Sequence, residues 1–127
     1  MTGYTSNIEK LTLENNFFRK VLFTAPHSQL VLMCLKPNED IGMETHDNVD
    51  QFFRIEEGEG KTIFNGEENI IFDGSAVIVP AGVMHNIVNT SPDKNLKLYT
   101  IYSPANHKDG TIHQTKEEAI KAEEEGE

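Results

Sequence analysis

Short apolar runs cut by turn residues fill the middle of this chain. Residues 51–57 alternate, with Gln51, Phe53 and Ile55 on one face and Phe52, Arg54 and Glu56 on the other. That is the period of a half-buried strand. Residues 17–23 and 29–35 are apolar and β-prone, and Ala25, Pro26, His27 and Ser28 divide them. Residues 61–64 and 67–71 flank Asn65-Gly66, a strong hairpin signal because both central residues of a type I′ turn need positive φ. Further strands are predicted over 76–79, 85–89 and 96–102, with Gly, Pro, Asn or Asp in the gaps. Many short strands with regularly spaced turns predict a sandwich or barrel. Helical crossovers have no room, which argues against a parallel sheet.

The pattern changes after Tyr102. Residues 103–110 carry Pro, Asn, His and Gly and read as a loop. Thr115-Lys116-Glu117-Glu118 is a capping box, with Thr115 accepting backbone N–H groups and Glu118 reaching back. It predicts a terminal helix over 116–125. A shorter helix at 7–11 would be capped by Ser6 or Asn7. The whole reads as one all-β domain over 1–127, with a barrel core at about 16–103 and a loop and helix over 104–127.

Charge narrows the partners. The formal net charge of -10 disfavours nucleic acid and anionic membrane surfaces, which both need basic faces. The acidic tail Glu123, Glu124, Glu125 and Glu127 is expected to be a solvated, frayed end. One cysteine, Cys34, allows no intrachain disulfide, and its apolar setting predicts a buried, inert thiol. Residues 1–10 lack a signal-peptide pattern and no stretch is apolar enough to span a membrane. A cytoplasmic protein is expected.

Candidate chemistry gathers on two segments. If Met43 and Thr45 face out, Glu44 and His46 project together inward, since residues two apart on a strand share a face. A turn over 47–50 then brings in Gln51, on the inner face with Phe53 and Ile55. His85 opens a later strand just after Pro80 and Gly82. Two imidazoles and one carboxylate are the donor set of non-haem iron sites, and Gln51 adds a neutral oxygen. The absence of thiolate argues against a closed structural zinc site, and four ligands on an octahedral ion leave two positions for substrate.

These segments resemble the two motifs of the cupin superfamily. The second motif, G-x5-P-x-G-x2-H-x3-N, is matched at every fixed position by Gly74, Pro80, Gly82, His85 and Asn89. The first, G-x5-H-x-H-x3-4-E-x6-G, is matched in spacing by Asn38, Glu44, His46, Gln51 and Gly58. Glu44 stands where the first His is usual, Gln51 where the Glu is usual, and Asn38 in place of the leading Gly. The resemblance covers about 36–102 and implies an antiparallel jelly-roll barrel. It also implies one divalent metal ion, Zn, Ni, Mn or Fe, on Glu44, His46, Gln51 and His85. In this superfamily Gln at the fourth position occurs in some uronate-ketonising cupins, and Gln, Glu and two His ligate zinc in phosphomannose isomerases.

The resemblance therefore implies a metal-dependent enzyme on a small polar metabolite held in the barrel, a sugar, sugar acid or keto acid, with isomerase or tautomerase chemistry. The alternatives are a non-catalytic ligand-binding barrel and an Fe(II)-dependent dioxygenase. Glu44 and His113 are the catalytic candidates. His113 qualifies if the segment over 104–113 folds across the barrel mouth, and otherwise it and His107 are exposed loop histidines. Tyr99 and Tyr102 read as packing residues. Phe52 faces outward, which points to a homodimer contact rimmed by Arg54.

Overall fold

A computed structural model describes residues 2–126. Its elements run α1 (Ile8–Glu14), β1 (Arg19–Thr24), β2 (Gln29–Leu35), β3 (Asp50–Glu57), β4 (Glu59–Phe64) and β5 (Glu67–Phe72). They continue with β6 (Ala76–Val79), β7 (His85–Asn89), β8 (Leu96–Ser103), β9 (Ile112–His113) and α2 (Lys116–Glu124). One sheet has the order β6-β3-β8-β2-β1-β9 and the other β5-β4-β7, and all pairings are antiparallel. This is the expected all-β jelly-roll barrel with a short C-terminal helix.

The core forms where the inward positions of both sheets meet. Val31, Met33, Leu35, Phe53, Ile55, Leu96 and Leu98 of the larger sheet pack with Ile71 and Ile87 of the smaller one. Area removed from water is the main stabilising term, at about 25 cal/mol per Å². The outer face of the larger sheet is covered in part by α1. Lys97 there donates from Nζ to the Leu13 carbonyl at 2.6 Å and to Asn16 Oδ1 at 3.0 Å, which satisfies a carbonyl at the helix end. Cys34 is buried, and burial pushes its thiol pKa up, as expected for an inert thiol.

Local chemistry explains the turns. Asn65 and Gly66 have φ of 48° and 88°, the signs a type I′ hairpin demands. Gly58 has φ 111°, and a Cβ there would sit 2.7 Å from the Asn95 carbonyl oxygen, so both backbone and space require glycine. Asn38 holds φ 63°. Asparagine tolerates the left-handed region, so the departure from the family's glycine keeps the turn.

Four details differ from expectation. Glu44 and His46 lie on an irregular extended segment rather than a continuous strand, and Glu44 is tied by an isolated bridge to His85. Asp47 and Asn48 form the turn expected over 47–50. The strand β9 interrupts the expected loop and pairs His113 with Arg19. The cap of α2 is shifted by one residue on its return arm: Thr115 Oγ1 accepts from Glu118 N at 3.1 Å, while Glu118 Oε2 accepts from Gln114 N at 2.6 Å. Phe52 is half-buried beside Tyr99, and its cross-strand neighbour Ile78 is the side chain that faces water, 68% exposed. The acidic tail is helical through Glu124, and Glu127 lies outside the described residues.

Candidate metal centre

Three backbone hydrogen bonds bring the two motif segments together. Glu44 N donates to His85 O and His85 N donates to Glu44 O, both at 2.9 Å, and Gly82 N donates to His46 O at 2.8 Å. Positive φ at Gly82, 86°, turns that N–H toward the first segment. Asn89 closes the far end of β7. Its buried Nδ2 donates to the carbonyls of Leu35, Lys36 and Lys94 at 3.1, 3.0 and 2.8 Å. The glycine and asparagine of the second motif thus work by backbone placement.

Glu44, His46 and His85 each offer a ligand atom, and these atoms lie within 4.8 Å of one another. His46 and His85 rings are 5.5 Å apart between centroids, and His46 Nε2 meets Glu44 Oε2 at 3.1 Å. Met43 and Thr45, which flank Glu44, are exposed, so the expected in–out alternation holds without a regular strand. Gln51 is buried on the inner face of β3, opposite Tyr102 on β8, and Tyr102 meets His46 edge-on at 6.1 Å. Gln51 Nε2 donates to Thr100 Oγ1 at 3.0 Å, which fixes its amide and leaves Oε1 as a free acceptor.

The fit to a cation rests on two orphaned atoms. His85 Nδ1 is 2.9 Å from the Val83 carbonyl. A carbonyl only accepts, so Nδ1 carries the proton and Nε2 holds a lone pair. That Nε2 is buried and has no hydrogen-bond partner among the described residues, and neither has Gln51 Oε1. A buried unpaired acceptor costs about 1–3 kcal/mol. A Glu44–His46 ion pair alone would leave both atoms unsatisfied, whereas a divalent ion accepts electron pairs from both. The set is two nitrogens and two oxygens without thiolate, which suits several first-row ions.

A lid closes over this group. Gln29, fully buried, accepts at Oε1 from Asn106 N at 3.1 Å and His107 N at 3.0 Å. Its Nε2 donates to His107 O at 2.7 Å and Thr24 Oγ1 at 2.9 Å. The pinned loop sets His107 Nε2 3.2 Å from the Tyr102 hydroxyl. Burial, reinforced by Arg19, His113 and His46, drives the His107 pKa down to about 3. Burial raises the Tyr102 hydroxyl well beyond its ordinary range, against the opposing influence of Arg19. Both are therefore neutral near pH 7. A cavity of about 250 Å³ lies between Glu44, His46, Arg19, His107, His113 and α2. A larger groove of about 660 Å³ runs near Gly58, Asp73 and Lys94, and none of Glu44, His46, Gln51 and His85 lines it.

His113 does reach the lid, as the sharper expectation for the 104–113 segment had it, and lines the same cavity as Glu44 and His46. The sequence reading missed Arg19, and it gave Tyr102 to packing although its hydroxyl is hydrogen-bonded within the site. The signal for Arg19 was its phase, since it shares a face with Val21.

The fold is a small jelly-roll barrel, and Glu44, His46 and His85 lie close enough together within it to hold a metal ion. The cupin domain matches residues 31–102, and the chain belongs to the cupin family. Among its relatives are the uncharacterized protein YrkC of Bacillus subtilis, 48% identical over 94% of this chain and 67% of that one, and the uncharacterized protein L612 of Acanthamoeba polyphaga mimivirus, 45% identical over 86% and 70%. A Bacillus halodurans protein of known crystal structure superposes with a TM-score of 0.92 at 41% identity, over 94% of this chain and 95% of that one. KdgF from Halomonas shares the fold at a TM-score of 0.64 and 23% identity, over 69% and 78%. No helix among the described residues is long and apolar enough to cross a membrane.

Proposed function

We propose that this cupin binds one divalent metal ion through Glu44, His46, Gln51 and His85 and acts on a small polar metabolite by isomerase or tautomerase chemistry. The observation that carries the reading is the pair of buried, unpartnered acceptors, His85 Nε2 and Gln51 Oε1, beside Glu44 and His46. When bound, the ion would supply Lewis-acid polarisation of a substrate oxygen.

The chain's own groups supply the rest. Val83 fixes the tautomer of His85 through its carbonyl, and Thr100 fixes the amide of Gln51, so both donors are aimed before any ligand arrives. Glu44 is the partly accessible carboxylate of the set, 22% exposed, and would serve as the base for a proton on carbon next to a carbonyl. Tyr102 and His107, neutral and 3.2 Å apart, hold a proton between hydroxyl and ring at the inner wall. The lid pinned by Gln29 limits water at the cavity.

The test is solvent exchange. Metal-loaded protein is incubated in deuterium oxide with a panel of sugars, sugar acids and keto acids, and proton NMR follows exchange beside the carbonyl. Exchange with at least one member, lost in Glu44→Gln, is expected. No exchange across the panel, with tight binding of a member, would favour a ligand-binding barrel. Oxygen uptake by iron-loaded protein would favour a dioxygenase.

A further inference from the structure

Arg19 has no part in the metal reading, yet it is the largest fully buried side chain described. On β1 it stands opposite Met33, and Val21 two residues on stands opposite Val31. All three neighbours belong to the core, so an arginine fills a core position. Burying a guanidinium without a counter-charge is costly, and guanidinium does not shed its proton to escape the cost.

Among the described residues no carboxylate forms an ion pair with Arg19. Its Nε is buried without a hydrogen-bond partner among the described residues. Nη1 donates to His113 Nδ1 at 3.3 Å, and Cζ lies 5.3 Å from the centre of the Phe18 ring. Neither contact supplies negative charge. Arg19 also lines the 250 Å³ cavity that Glu44 and His46 line, with Lys108 as a second cation. The chain has a net charge of -10, and Glu44 and Glu123 share this cavity, yet among the described residues neither forms an ion pair with Arg19.

We propose that Arg19 anchors the carboxylate of a small carboxylic acid held in this cavity, with the rest of the molecule reaching toward Glu44 and His46. This rests on the metal reading for what happens at the far end, but not for the anchor itself. A planar carboxylate matches the guanidinium fork. The cavity, at about 250 Å³, is smaller than the roughly 300–1,000 Å³ of a typical small-molecule cleft, which favours a small acid. Glu44 and Glu123 also line the cavity. Their charge favours a monoanion over a phosphate dianion. The lid residues Asn106 and His107, held by Gln29, also line the cavity.

The experiment is calorimetric titration of wild-type, Arg19→Met and Arg19→Lys protein with pyruvate and with its neutral counterpart pyruvamide. Each titration is run on zinc-loaded and on chelator-treated protein, with metal content and thermal midpoint measured on the same samples. Pyruvate is expected to bind wild type about tenfold or more tighter than pyruvamide. Arg19→Met should lose that preference with metal content unchanged, and Arg19→Lys should keep part of it. Equal pyruvate affinity in Arg19→Met and wild type would overturn the proposal. So would parallel weakening of both probes, the mark of a merely structural arginine, or no pyruvate binding, or tighter binding of inorganic phosphate. If Arg19→Met does not fold, Arg19→Lys against wild type decides by the same ratio. Absence of metal from wild type would contradict the metal reading, while the pyruvate to pyruvamide ratio on chelator-treated protein still reports on Arg19.

Discussion

His85 donates through Nδ1 to the carbonyl of Val83 at 2.9 Å. One hydrogen bond between residues two apart thus decides which ring nitrogen holds the lone pair, and that nitrogen is the buried, unpartnered one. Sequence supplies the constraint: His85 opens β7 directly after the Gly82 turn, so its ring lies over the backbone it has just left.

Gln51 gives the first prediction. Its amide N–H₂ is held by Thr100, and its oxygen has no partner among the described residues. Gln51→Leu keeps the volume but removes the orphaned oxygen, so the metal-free protein should unfold at a denaturant midpoint close to wild type. Its metal affinity should fall about tenfold or more, as competition with a chromophoric chelator would read. Gln51→Glu should bind the ion more tightly than wild type by adding charge to the ligand set. Unchanged affinity in Gln51→Leu would remove Gln51 from the site.

His107 sets a pH dependence. Its pKa is about 3 in the folded chain against an ordinary 6.5. The unfolded chain therefore binds the proton first as pH falls, and this contribution to stability, full above about pH 6.5, is lost progressively down to about pH 3. His107→Asn keeps the backbone bonds to Gln29 and removes the titration. Urea unfolding at pH 7 and pH 4.5 should show a smaller drop in stability for the variant than for wild type.

Asp40 joins the terminal helix to the ligand segment. It pairs with Lys116 and accepts from Asn86 Nδ2 at 2.8 Å, while Asn86 Oδ1 accepts from Gly42 N at 2.9 Å. Burial alone would raise its pKa, but the bonds from Lys116 and Asn86 outweigh that and hold it below the usual carboxylate range. Its contribution is present above about pH 4 and is lost as pH falls through the lowered value. The pair is partly solvated, so Lys116→Met should cost no more than about 1 kcal/mol by urea unfolding. It should also raise hydrogen exchange over 116–124.

Much of this was legible in the sequence. The strands β2, β6 and β7 coincide with the apolar runs because turn residues bound them on both sides. Glu44, His46 and His85 were legible from the resemblance to the cupin motifs, and the structure brings them together. What escaped depends on distant partners. His107 is placed by Gln29, 78 residues away in sequence, and β9 is two residues long, too short for any periodicity to register. Arg19 escaped because charge normally means an outward position. Its phase with Val21 pointed inward, and burial without a counter-ion is affordable only where something else supplies the charge.

The most direct measurement is elemental analysis of protein purified without a metal-binding tag, loaded in turn with zinc, manganese, nickel and ferrous iron and then desalted. About one divalent ion per chain is expected for wild type with at least one of these metals. His46→Ala and His85→Ala should each lose it while keeping the wild-type circular dichroism spectrum. Wild type without metal after every loading, or alanine variants that retain a full complement, would contradict the metal centre assigned to Glu44, His46, Gln51 and His85.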